Sequence, residues 1–289
     1  SVQQHLENET IKFVKYWLNK TKLKDLVLAG GVFANVKLNQ RILELEDVDS
    51  VYIHPNMGDG GLALGAAFLV SGQKPINVDD AYYGPEYSEE EIEDALKEEN
   101  VKYKKYNNVE KEIAKLLSKK KVIARFNGRM EYGPRALGNR SILYHAGDKS
   151  VNDWLNKRLK RTEFMPFAPV TMEEYKDDNY LNNKGGDHAA KFMTITFDCG
   201  EEMKKKCPAV VHVDGTARPQ LINEKINPSY YNIVKEYHKL TKIPTIVNTS
   251  FNMHEEPIVC SPEDAIRSFK QGNLDYLAIG NFIVANGKI

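Results

Sequence analysis

A mixed α/β fold is what this sequence predicts, and three observations carry the prediction. Over the first 70 residues, short apolar runs alternate with segments of helical periodicity. The short runs end at glycine or proline, as buried strands of a parallel sheet do. Beyond residue 88, strand and helix patterns continue without strict alternation. The chain has 289 residues, and domains usually run to about 100–200, so two domains are expected.

The elements follow in order. Val2 to Lys20 places Leu6, Ile11, Phe13, Val14, Trp17 and Leu18 at near-helical spacing. Leu26–Ala29 is a short strand stopped by Gly30-Gly31. Val36–Leu45 is a second helix, and Val51–Ile53 a second strand ended by His54-Pro55-Asn56. After the turn Gly58-Asp59-Gly60-Gly61, Leu62–Val70 is a helix of small and apolar residues. Ser71 to Glu90 holds Gly72, Pro75, Gly84 and Pro85 and no sustained period, which reads as loop. Domain limits are therefore set at 1–75, a linker at 76–87 and a second domain at 88–289. Ser88 stands three residues before Glu91, a capping box that restarts helix. Helices are expected over Ser88–Glu98, Val109–Lys119, Ser150–Lys160, Ser229–Thr241 and Pro262–Gln271. Strands are expected over Val101–Tyr106, Val122–Phe126, Phe192–Phe197, Ala209–Val213, Thr245–Val247, Tyr276–Ile279 and Phe282–Ala285.

Composition narrows the function. Lys+Arg and Asp+Glu are both 40, and this balance disfavours a nucleic-acid binder held by bulk charge. No apolar run approaches the ~18 residues of a membrane span. Cys199, Cys207 and Cys260 are too sparse for a disulfide scaffold and fit a reducing, cytoplasmic setting. The runs Lys119–Lys121 and Lys204–Lys206 read as solvated faces.

Several segments carry chemistry. The densest is Gly128–Ser141, with three arginines and three glycines. Guanidinium groups grip phosphate or carboxylate bidentately, and glycines open backbone amides to the same oxygens. Arg135 and Arg140, with Asn139 and Ser141, are thus candidates for an anionic ligand such as a nucleotide or acyl phosphate. Cations continue in Lys157, Arg158 and Arg161. RNA is a rival ligand, since Tyr132 is available to stack a base. Gly30 and Gly31, between a strand and a helix, fit either a phosphate or ribose contact or an ordinary tight turn. Asp59 lies in a glycine turn just after a strand, where it is either a metal ligand or a helix cap. His54 reads as a strand-end histidine. His212, Asp214 and Arg218, and the run Asn248, Thr249, Ser250 and Asn252, sit where strands end in polar turns.

Together these segments resemble the O-carbamoyltransferases of the NodU/CmcH family. The resemblance rests on GGVFANVKLNQRI (30–42), GDGGLALGAA (58–67), GRMEYGPRALGNRSIL (128–143), PAVVHVDGTARPQ (208–220) and VNTSFNMHEEPIVCSPEDA (247–265). It implies the end of an actin/Hsp70-like ATPase domain followed by a YrdC-like α/β domain. It further implies that carbamoyl phosphate and ATP with magnesium give carbamoyl adenylate in the second domain. The carbamoyl group then passes to an acceptor hydroxyl on the first domain, near a bound iron. On this resemblance Gly30, Gly31 and Asn35 belong to a nucleotide loop and Asp59 is the metal-binding aspartate. Arg135, Arg140 and Ser141 serve carbamoyl phosphate and nucleotide phosphates, and Asn248, Thr249, Ser250 and Asn252 form the facing wall. Lys157, Arg158, His212, Asp214 and Arg218 are assigned to the same pocket.

The family's His-x-x-x-His metal pair does not occur here. The expectation is a C-terminal fragment or one part of a split enzyme, with an incomplete iron site, a missing N-terminal lobe and only the first half-reaction. Two other readings are a threonylcarbamoyl-type tRNA modification enzyme and a nucleotide-binding module without catalysis.

Overall fold

A computed structural model describes residues 1–72, 78–160 and 166–287. The fold is mixed α/β, as expected. Its first part is α1 (Val2–Thr21), β1 (Asp25–Leu28), α2 (Val36–Leu43), β2 (Ser50–Ile53) and α3 (Leu62–Ser71). β1 and β2 pair in parallel, Leu26 opposite Val51. Asn35 caps α2 by accepting the Leu38 N–H at 3.1 Å.

The second part runs α4 (Glu89–Glu98), β3 (Tyr103–Lys105), α5 (Val109–Ser118), β4 (Ile123–Phe126), β5 (Arg140–His145), α6 (Val151–Arg158) and β6 (Ala168–Met172). It continues with α7 (Lys176–Asn179), β7 (Tyr180–Leu181), α8 (Asp187–Lys191), β8 (Phe197–Cys199), α9 (Glu201–Lys206), β9 (Thr216–Ala217) and β10 (Gln220–Ile222). It closes with α10 (Pro228–Thr241), β11 (Thr245–Ser250), α11 (Pro262–Gln271), β12 (Tyr276–Ile279) and β13 (Phe282–Ala285). Eight strands form one sheet in the order β10-β6-β11-β5-β4-β12-β13-β3, and β7-β8-β9 form a second.

The large sheet divides two cores by strand alternation. Ile123, Leu143, Val170, Ile246 and Ala278 face one side, with Ile113 and Leu117 of α5 and Tyr230, Ile233 and Tyr237 of α10. Ala124, Phe126, Ile142, Val247 and Leu277 face the other, with Leu155 of α6 and Ile266 of α11. That second core is continuous with Val14, Leu38 and Ile42 of the first part. The union is also polar: Asn39 donates to the Thr194 carbonyl (2.7 Å), and the Thr196 hydroxyl donates to Gln40 (2.8 Å).

Residues 78–87 carry neither helix nor strand, yet they are tied to the second part. The Gly84 N–H donates to the Met130 carbonyl, the Met130 N–H to Pro85 and the Tyr132 N–H to Ala81.

Two expected strands are corrected. Pro208–Val210 is a 3₁₀ turn, and of Phe192–Phe197 only Phe197 enters a strand, β8. Pro208, which has no N–H, opens the first, and Met193 at φ 57 interrupts the second. Cys199 and Cys207 are buried thiols, each pushed up to about 12 by burial. Among the described residues no helix is long and apolar enough to cross a membrane.

Candidate functional site

The site is built on the connection between β4 and β5. These strands are antiparallel, with Phe126 opposite Arg140 and Arg125 opposite Ser141, so residues 127–139 leave the sheet and return. Three buried ions fold that excursion. Glu131 Oε1 accepts the N–H groups of Leu137 (2.7 Å), Asn139 (2.7 Å) and Arg140 (3.1 Å). Arg140 Nη1 donates to the carbonyls of Asn127, Gly128 and Asn139, and Nη2 to Pro85. Its guanidinium lies 3.6 Å over the Phe126 ring, and burial lowers its pKa to about 10. Arg125 reaches the loop from behind, donating to the Gly138 carbonyl (2.8 Å) and to Asn139 Oδ1 (3.2 Å). Its other end donates to Ser229, which donates to Glu110.

Two arginines differ from these. Arg135 and Arg218 are partly buried, and among the described residues neither has a carboxylate partner. Among the described residues Arg135 Nε, like Arg140 Nε, is a buried donor without an acceptor. Burial lowers the pKa of Arg135. Burial first, then the like charge of Arg135, brings Arg218 down to about 9. Two guanidinium groups that feel each other's charge and have no carboxylate partner among the described residues suit an anion chemically, because an anion there would relieve both desolvation and repulsion.

His212 stands beside Arg218. Its pKa is lowered, first by burial and then by Arg218 and Lys37 against Asp214. Its Nδ1 lies 3.1 Å from the Thr216 hydroxyl. Asp214 accepts from the Thr216 N–H and hydroxyl and pairs with Lys37 of α2 at 3.1 Å. Burial opposes ionisation of Asp214, but those bonds prevail and hold it at about 2. His212, Phe167, Asn152 and Lys204 line a cavity of about 710 Å³.

The residues expected to form the facing wall lie on β11 and just after it. On β11, Asn248 pairs with Leu143, Thr249 with Ile142 and Ser250 with Ser141. Asn248 Nδ2 donates to the Ala136 carbonyl at 2.9 Å, next to Arg135, and its buried Oδ1 has no partner among the described residues. Ser141 accepts the Gly138 N–H at 2.9 Å. Ser250 donates to Asn252, which donates to the Glu256 carbonyl.

The first part brings its own residues to a cavity of about 760 Å³, lined by Gly30, His54, Asn56, Asp59 and the apolar side of α3. Leu62, Leu69 and Val70 of that helix are 70%, 86% and 89% exposed. Gly30 has φ +114, and a Cβ at Gly30 or Gly31 would meet nothing within 4 Å, so this backbone is open to approach. Asp59 is exposed and caps no helix: the following 3₁₀ turn and α3 are capped by glycines without side-chain bonds. Among the described residues no three His, Cys, Asp or Glu side chains gather as a metal site. A lone exposed carboxylate does not fit an iron centre, which needs several ligands.

Lys157 and Arg158 lie elsewhere. Lys157 is exposed on the last turn of α6. Arg158 pairs with Asp275 at 3.5 Å and stacks on Trp154 at 4.9 Å. Asp275 accepts the Val122 N–H at the start of β4, the end opposite the loop. Arg161 lies outside the described residues. Arg125 and Glu131 were not singled out from sequence, although an arginine inside the apolar run Val122–Phe126 is itself a signal, since buried charges are paired.

Comparison with known proteins gives a consistent picture. A family model described as "Carbamoyltransferase C-terminus" matches residues 114–286, and one described as "Carbamoyltransferase N-terminus" matches residues 1–68. The chain is 39% identical to an uncharacterised protein of Methanocaldococcus jannaschii, over 98% of this chain and 48% of that one. It is 34% identical to nodulation protein NolO of Bradyrhizobium diazoefficiens, over 98% of this chain and 53% of that one. Nodulation protein U of Rhizobium tropici is 31% identical over 88% of this chain and 42% of its own. The chain thus spans about half the length of the curated relatives it matches. Full-length HypF, in a phosphate- and nucleotide-bound form, aligns with 61% of this chain and 25% of its own, at TM-score 0.44 and 21% identity.

Proposed function

This chain belongs to the carbamoyltransferase family, and from that premise we propose that its second part joins ATP and carbamoyl phosphate as carbamoyl adenylate. Water releases inorganic phosphate from carbamoyl phosphate and leaves carbamate. A carbamate oxygen attacks the α-phosphorus of ATP, and the bond to pyrophosphate breaks. Both substrates are polyanions, so fixed cations must bring them together and hold the charge that develops on the leaving group. Magnesium enters as part of the ATP substrate.

The observation that carries this reading is the Arg135–Arg218 pair, two guanidinium groups without a carboxylate among the described residues. Asn248, whose Oδ1 is free and whose amide fixes Ala136, stands beside it. The cavity at His212, mainly apolar with Phe167 in its lining and His212, Asn152 and Lys204 as polar groups, suits the nucleoside. Arg140 acts indirectly, since both of its terminal nitrogens are engaged by backbone carbonyls, Nη1 by those of Asn127, Gly128 and Asn139 and Nη2 by that of Pro85.

In the same proposal residues 88–289 make the adenylate, and residues 1–75 belong to the transfer of the carbamoyl group to an acceptor hydroxyl. The exposed Asp59 in its cavity supports that division. No step is routed through iron, because the residues present do not make its site.

The test is pyrophosphate release from the protein mixed with ATP, magnesium and carbamoyl phosphate. Release is expected to depend on carbamoyl phosphate and to fall about 100-fold or more in Arg135→Ala and Arg218→Ala, as when a charge-stabilising donor is removed. ATP binding without release would select a nucleotide-binding module instead.

A further inference from the structure

The arginine loop and the turn that carries Asp59 touch. The Tyr132 hydroxyl stands 3.3 Å from His54 Nε2 and 3.4 Å from the Gly60 carbonyl, to which it donates. The two rings meet edge to face at 5.8 Å. At Gly133, with φ +104, a Cβ would lie 3.1 Å from the Pro55 carbonyl oxygen, so the two backbones abut. Inside the turn a Cβ on Gly61 would lie 2.3 Å from the Asn56 carbonyl oxygen, and the Gly30 N–H donates to Met57 at 2.7 Å. The turn is therefore closed on itself and tied to the Gly30 loop.

Tyr132 is held on its other side as well. Its N–H donates to Ala81 at 2.6 Å, and its neighbour Glu131 is fixed by three amides of the arginine loop. Arg135 lies in the same loop, three residues after Tyr132, and its neighbours are tied down: the Ala136 carbonyl accepts from Asn248 and the Leu137 N–H donates to Glu131. The hydroxyl is shared between two partners at long distance, where a few tenths of an ångström change the bond most.

We infer that Tyr132 is a positioning residue that couples the two loops: an anion held at Arg135 orders the turn His54–Gly61, and with it Asp59. The anion part rests on the reading of Arg135 and Arg218 given above. The contact at Tyr132 is direct and stands without it.

Amide hydrogen exchange of residues 54–61 tests the inference, with inorganic pyrophosphate as the probe and calorimetry to measure its binding. In the native protein, pyrophosphate is expected to slow exchange in this turn about fivefold, the effect of one net hydrogen bond. Tyr132→Phe keeps the ring and removes only the hydroxyl. It is expected to bind pyrophosphate within about twofold of the native affinity and to lose the protection. Protection that persists in Tyr132→Phe, or pyrophosphate binding that never protects the turn, overturns the inference. Absence of pyrophosphate binding would instead sink the anion-site reading, and ligand-free exchange then decides. Exchange of 54–61 that rises about fivefold in Tyr132→Phe supports the positioning role, and unchanged exchange overturns it.

Discussion

Glu131 accepts the backbone N–H of Leu137 at 2.7 Å, and the same carboxylate oxygen takes the amides of Asn139 and Arg140. One side chain thus closes the loop that presents Arg135. Glu131→Ala is expected to cost about 3 kcal/mol, since hydrogen bonds to a charged group are the stronger kind and buried amides lose their acceptor. Glu131→Gln, which keeps a carbonyl oxygen, should cost about half as much. Urea midpoints of the two variants check the order.

On the proposed function, Arg135 serves a ligand rather than the fold. Its guanidinium repels that of Arg218, and burial disfavours both charges. Arg135→Met should therefore raise stability by about 0.5–1 kcal/mol while abolishing pyrophosphate release. Thermal melting beside the release assay reads both. A variant that is less stable and still active would contradict the assignment.

Gly138 has φ +113, and a Cβ there would lie 2.2 Å from the Tyr230 ring. Gly138→Ala is expected to cost about 3 kcal/mol, from overpacking and from an unfavourable backbone together. Adding Tyr230→Leu should recover part of that loss but not all, because the ring clash is relieved and the φ strain is not. A double-mutant cycle separates the two.

The Asp214–Lys37 pair links α2 to the turn beside His212 and Arg218. Asp214 is held at about 2, below its ordinary 3.8, by Thr216 and Lys37 against the effect of burial. A depressed carboxylate stabilises the fold above its unfolded pKa and loses that contribution as pH falls toward the folded value. With the Asp214 side chain 46% exposed, solvent screening keeps the effect of Asp214→Asn below about 1 kcal/mol at pH 7. The difference between native protein and variant should shrink as pH falls from 4 toward 2. Paired denaturation curves across that window show it, and a difference that grew with acid would refute the sign.

The legibility of the fold followed local signals. The Ser88–Glu91 capping box marked α4 and is present; the structure adds a second, Ser261–Asp264, at the start of α11. β4, β12 and β13 matched their apolar runs. β5 and β6, in the middle of the large sheet, were not predicted. β5 opens with the buried polar pair Arg140 and Ser141, which reads as the tail of a polar motif. β6 contains Pro169, which ordinarily argues against a central strand. Pairing with β10 begins only at Val170, so the proline is tolerated at that strand's first residues.

What the sequence by itself determined was the longer helices, though not the short α7, α8 and α9, the glycine punctuation and the kind of chemistry available: cationic loops, an isolated aspartate and an Asn-Thr-Ser strand end. It did not determine which cation is available to a ligand. Arg135, Arg140 and Arg158 look alike in one dimension. Packing turns Arg140 onto its own loop's carbonyls, pairs Arg158 with Asp275 at the far end of β4, and brings Arg135 to Arg218. The reason is physical. A helix or a turn is set by neighbours a few residues away, whereas the partner of a buried charge is set by whichever distant segment the fold lays against it.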